Sequence, residues 1–166
     1  MKAMTTTSIK TTTKNDLAES TREAMIEMLQ QSTAEAVDLQ TQAKLAHWNV
    51  KGPNFIALHE LFDQAAGDVR NFSDDLAERL VQLGGLVEGN VQTVAKTTNL
   101  PVYSTEIQSG KDHVDAFSSA LATFGAHVRA NIDRADQAGD MDTADLFTEV
   151  SRGVDKLLWF VEAHNQ

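Results

Sequence analysis

The sequence predicts an all-α protein, a four-helix bundle with a long crossover containing a short helix. Three observations predict it. Apolar residues recur at the three-and-four spacing of amphipathic helices over four long stretches. Prolines number only two, and glycines stand where the helical patterns stop, at Gly52, Gly84, Gly85 and Gly139. Between Gly85 and Gln108 lies a connection too long for a tight helical turn, holding Gly89, Asn90 and Pro101. Some four-helix bundles use a crossover of this kind between their second and third helices.

Composition narrows the function classes. A chain of 166 residues with 42% apolar content makes one domain with a real core. The net charge of −10 argues against a globular surface that binds nucleic acid by itself. No apolar run approaches the roughly 18 residues needed to span a membrane. The first residues, MKAMTTTSIKTTTKND, lack the apolar core of a secretory signal, so the cytoplasm is the expected compartment. With no cysteine, any bound metal must be held by histidine and carboxylate, donors that suit iron and other first-row ions.

In chain order, residues 1–15 are Thr-rich, with Lys2, Lys10 and Lys14 and no acid before Asp16. Such a composition buries no core and reads as a disordered tail ahead of a bundle domain over 16–166. Its cationic side chains offer contacts to DNA phosphates, or simply a solvated leader. A first helix is expected over about 17–47, with a broken apolar spacing through Met25, Met28, Leu29, Val37, Leu39 and Leu45. Asn54 is placed to cap a second helix, which Gly84 and Gly85 end. A short helix is expected near 91–96. Ser109 caps a third long helix, to about 138, bearing Val114, Phe117, Leu121, Phe124 and Val128. His113 and His127 on it read as surface or packing residues. Asp142 is the expected N-cap of the last helix, with Asp145 favouring its positive end, and Gly153 is a mild weakness inside it.

The second helix carries the chemistry. On an ideal helix His59, Asp63, Asp74 and Glu78 fall at about 0°, 40°, 60° and 100°, one stripe shared with core-facing apolar residues. Carboxylates on such a stripe are costly unless paired or metal-bound. His59 and Asp63 are one turn apart, as are Asp74 and Glu78. The two pairs start about 22 Å apart along the axis, while a ligand sits about 2 Å from its metal. One helix therefore cannot bring both pairs to one ion. An antiparallel copy across a two-fold axis does, giving a dimer with two identical shared sites. Solvated charges on an ordinary amphipathic helix are the plainer reading of the same stripe.

The runs AHWNVKGPNFIALHELFD and DDLAERLVQLGG, with DMDTADLF and SRGVDKLLWFVEAH further on, closely resemble the Dps family, the ferritin-like mini-ferritins of bacteria. The resemblance covers roughly residues 17–164. It implies a ferritin-like subunit and a hollow homododecamer built from two-fold dimers. It also implies an inter-subunit ferroxidase site of His47, His59 and Asp63 from one chain with Asp74 and Glu78 from its partner. Fe²⁺ would then be oxidised there, with hydrogen peroxide preferred over oxygen, and ferric oxide stored inside. Asp140, Asp142 and Asp145 become candidates for the iron-entry pores. Trp48 is placed beside the site; both it and Trp159 are packing aromatics that also offer electrons. Some relatives bind DNA through lysine-bearing tails, so Lys2, Lys10 and Lys14 define the rival reading, a structural nucleoid protein. An ordinary ferritin is disfavoured, because its Glu-x-x-His pairs are absent.

Overall fold

The computed structural model describes residues 9–166, so Lys2 lies outside the described residues. Five helices follow in order: α1 Glu19–Asn49, α2 Phe55–Gln82, α3 Val91–Thr97, α4 Gly110–Gln137 and α5 Met141–Glu162. No strand occurs among the described residues, and no helix there is long and apolar enough to cross a membrane. Helix α1 packs chiefly on α2 and α4 on α5; α1 against α4 and α2 against α5 then close the bundle. The core between them includes Met25, Ile26, Leu29, Leu39, Leu80 and Phe124. Phe62 and Phe117 meet edge to face at 5.7 Å, a geometry that aromatic quadrupoles favour.

The helix ends follow local chemistry. At the end of α2, the Gly84 N–H donates to Val81 O and the Gly85 N–H to Leu80 O, the paired bonds of a Schellman cap. Gly84 takes φ +94°, where a β-carbon is penalised. The end of α4 repeats the device, with Gly139 at φ +83°, its N–H on Asp136 O and the Asp140 N–H on Ala135 O. Asp140, the last residue of that cap, is at once the N-cap of α5, its carboxylate accepting from the Thr143 N–H at 3.0 Å. This corrects the expectation at Asp142, which lies exposed in the first turn; the helix starts two residues earlier because the α4 cap leaves no intervening loop. Ser109 caps α4 as expected, accepting from the Asp112 N–H. Asn54 holds the N-cap position of α2 without a side-chain bond, so its capping role is not realised.

The crossover climbs the bundle. It leaves α2 at Gln82 and returns at Gly110, which sits against Leu58 in the first turn of α2 and Lys51 just before that helix, about 40 Å away at helical rise. Side chains of α1 hold it. Gln30 exchanges two hydrogen bonds with the Glu88 backbone, Gln31 donates to Thr97 O, Asp38 accepts from the Thr98 hydroxyl, and Gln42 donates to Pro101 O. Gln30 and Gln42 are buried and satisfied by this backbone.

The stretch read as a tail joins the bundle from Ile9 onward. The Lys10 and Thr11 N–H groups donate to Gly84 O, at 2.8 and 3.1 Å, and Ile9 packs against the core. Gly153 also has a reason. A β-carbon there would fall inside van der Waals contact of the Phe72 ring. Gly153→Ala is therefore expected to lower stability by about 1–3 kcal/mol through overpacking, where an open helical site would gain about 1 kcal/mol. Chemical unfolding at fixed protein concentration checks the sign, and a stabilised variant would refute the packing argument.

Candidate metal centre

His47 stands in the last turn of α1 and His59 in the second turn of α2, across the short turn between them. Their rings stack at 3.7 Å, 21° from parallel. The His47 Nδ1 lies 2.7 Å from the His59 carbonyl, and the His59 Nδ1 lies 2.8 Å from the His47 carbonyl. A carbonyl only accepts, so each ring must carry a proton on Nδ1. In the neutral rings both Nε2 atoms then keep a lone pair. Backbone oxygens fixing Nδ1–H are the usual outer-shell support of a metal-ligating histidine. The reciprocal arrangement prepares two imidazole donors at once.

Asp63, one turn beyond His59, is exposed, and its Oδ1 accepts a 2.6 Å bond from the Lys44 ammonium. That hydrogen bond, aided by the charges of Lys44 and the two histidines, holds its carboxyl below the ordinary carboxylate range. Asp74 and Glu78 are also exposed, further along α2. Among the described residues, no three His, Asp or Glu side chains gather tightly enough to hold a metal. The structure thus brings His47 to His59, and leaves Asp74 and Glu78 as a separate pair. A cleft of about 520 Å³ near Lys51, Ser109 and His164 includes none of the five; Asp74 lines a second, smaller cleft with Gln40, Arg70, Asn71 and Ser73.

The aromatic and pore candidates divide. Trp48 and Trp159 are 64% and 63% exposed, so neither packs in the protomer core. Trp48 lies beside His47 in sequence, with the Lys44 Nζ 5.7 Å from its ring centroid. Trp159 meets Phe160 at 5.0 Å on α5. Asp142 and Asp145 are exposed. Asp140, by contrast, is buried with both oxygens taken by Arg79 and Thr143, so in the protomer it locks α5 to α2 rather than facing solvent. His113 is buried; the Tyr103 hydroxyl and the His113 Nδ1 are 2.6 Å apart. Burial pushes its imidazole below the ordinary histidine range and raises the Tyr103 hydroxyl. His127 pairs with the fully buried Glu35. Neither histidine joins the candidate site.

Residues 26–166 match the family model described as a ferritin-like domain. The DNA protection during starvation protein of Agrobacterium fabrum is 47% identical over 154 residues, which cover 93% of this chain and 95% of that protein. The chain belongs to the Dps family. Among solved Dps structures, the protein from Microbacterium arborescens in the high iron form superposes with a TM-score of 0.82 at 33% identity, covering 87% of this chain and 93% of that one. DpsC from Streptomyces coelicolor superposes with a TM-score of 0.91 at 26% identity, covering 100% and 96%. The ferritin-like bundle expected from the motifs is the Dps fold. Sequence reasoning missed Lys44 beside this site; its offset from His47, one turn earlier on the same helix, was the available signal.

Proposed function

We propose that this chain oxidises Fe²⁺ at sites shared between two subunits, preferably with hydrogen peroxide, and stores the ferric product inside a homododecamer. The reciprocal hydrogen bonds of His47 and His59 carry the reading, because they spend both Nδ1 protons on backbone and leave an Nε2 lone pair on each of two stacked rings. Asp63 adds a carboxylate one turn away. Asp74 and Glu78, too distant to join them within one chain, supply the remaining oxygens when an antiparallel partner brings them across. Neutral imidazoles with carboxylates suit a first-row divalent ion such as Fe²⁺. Asp142 and Asp145, exposed at the start of α5, are the carboxylates proposed to draw Fe²⁺ through the shell. The high iron form named for the Microbacterium arborescens relative supports iron as the substrate.

Anaerobic titration of the assembled protein with Fe²⁺, followed by a peroxide pulse, tests this. Saturable binding of about one to two Fe²⁺ per subunit, as a shared site of four or five ligands allows, and a fast peroxide-dependent absorbance rise are expected. Absence of both would overturn the reading. The relatives' name speaks of protecting DNA, and removal of Fe²⁺ and peroxide protects it without contact. Direct binding through Lys2, Lys10 and Lys14 is the rival. Against it, the backbone at Lys10 is tied to Gly84 and the chain is acidic. Deletion of residues 1–15 separates the two, since only the rival makes DNA retention depend on the tail.

A further inference from the structure

Lys44, His47 and Trp48 share one face at the end of α1, three and four residues apart. From that face the Lys44 ammonium crosses to α2 and bonds Asp63 at 2.6 Å. A carboxylate oxygen held by an ammonium is not free to enter a metal's coordination sphere. Neither partner is locked in place: their side chains are 30% and 57% exposed. Ion pairs this open are worth a factor of about five at most in an equilibrium. The Trp48 ring, with its centroid 5.7 Å from the ammonium, offers a cation–π resting place nearby.

We propose that Lys44 is the resident counter-cation of the metal site: it holds Asp63 in the metal-free subunit, gives it up when a divalent ion binds, and thereby sets the concentration at which the site fills. The inference rests on the proposed reading of His47, His59 and Asp63 as divalent-metal ligands. A divalent ion displaces it because it carries twice the charge and gains the two imidazole donors as well. A sodium or potassium ion, singly charged and poorly matched to imidazole, gains neither. The released ammonium keeps the face of Trp48, four residues along the same helix, which it already neighbours while it holds Asp63. Lys44 is thus a residue that tunes the site without being one of its ligands.

Co²⁺ is the probe, since its visible spectrum reports the donor set without turnover. Calorimetric and optical titrations compare assembled wild type with Lys44→Met and Lys44→Arg. Wild type is expected to bind Co²⁺ stoichiometrically. Lys44→Met should bind it about fivefold more tightly with the same stoichiometry and spectrum, the factor an exposed pair supplies. Lys44→Arg, which keeps a cation on Asp63, should stay near wild type. A surface bridge that merely ties α1 to α2 predicts the opposite, because its removal loosens the site. Equal or weaker binding by assembled Lys44→Met would overturn the role of Lys44 and leave the site reading standing. No Co²⁺ binding by wild type or either variant would overturn the site reading, and the role of Lys44 with it. Lys44→Gln is a second neutral variant, held to the same outcomes if Lys44→Met does not assemble.

Discussion

Replacing His59 and Asp63 together by alanine is expected to abolish saturable Fe²⁺ binding and fast peroxide-driven oxidation while the protein still assembles. The separation of effects follows from geometry. His47 is anchored to the main-chain carbonyl of residue 59, which alanine retains, so the remaining imidazole keeps its orientation. Two donors of the chain's own half-site are lost. Outer-shell changes alone cost metal sites about tenfold to a hundredfold, so removing two ligands should cost more than about a hundredfold in affinity. Stability should suffer little, because Asp63 is exposed and His59 only half-buried. Substitutions away from the core usually stay within about 0.5 kcal/mol. Stopped-flow oxidation and Fe²⁺ titration read the chemistry, and size-exclusion chromatography the assembly. Wild-type rates in the double variant would remove His59 and Asp63 from the site.

Four of the five proposed ligands were legible as a stripe, because a single uninterrupted helix fixes the angle between positions. His47 was not, since its place depends on how the 50–54 turn folds α1 back against α2. Only the family motif placed it beforehand. The crossover was legible as a long connection, but not what holds it. Helix α1 is covered by α2, α4 and the crossover at once, so five of its polar residues, Gln30, Ser32, Thr33, Glu35 and Gln42, are buried alongside its apolar ones. Gln30, Gln31, Asp38 and Gln42 therefore blur the apolar period instead of marking a solvent face. The same covering buries Glu35 against His127, a contact across 92 residues that no local pattern carries. At the α4–α5 junction the error was local. Asp140 and Asp142 are equally good caps by type, and only the overlap of the Gly139 cap with the next helix start selects the first.

That junction carries the largest stability prediction. Asp140 is 2% exposed and Arg79 only 12% by side chain. The Arg79 Nη2 donates to both Asp140 oxygens at 2.9 and 3.1 Å, while its Nε donates to the Thr143 hydroxyl at 2.9 Å. Thr143 in turn donates its hydroxyl and its N–H to Asp140. Asp140→Ala removes an N-cap and leaves a nearly buried guanidinium without its counter-charge. Loss of one partner of a buried pair costs about 3–5 kcal/mol, with about 1 kcal/mol more for the cap. Asp140→Ala is thus expected to destabilise by about 4–6 kcal/mol in chemical unfolding at fixed protein concentration. Adding Arg79→Met should restore part of that, because the stranded charge goes with it. Asp142→Ala and Asp145→Ala, both exposed, should stay within about 0.5 kcal/mol and slow Fe²⁺ entry if they line the pores. A small stability loss for Asp140→Ala, coupled to slowed iron uptake, would return Asp140 to the pore set and overturn its role as the lock between α2 and α5.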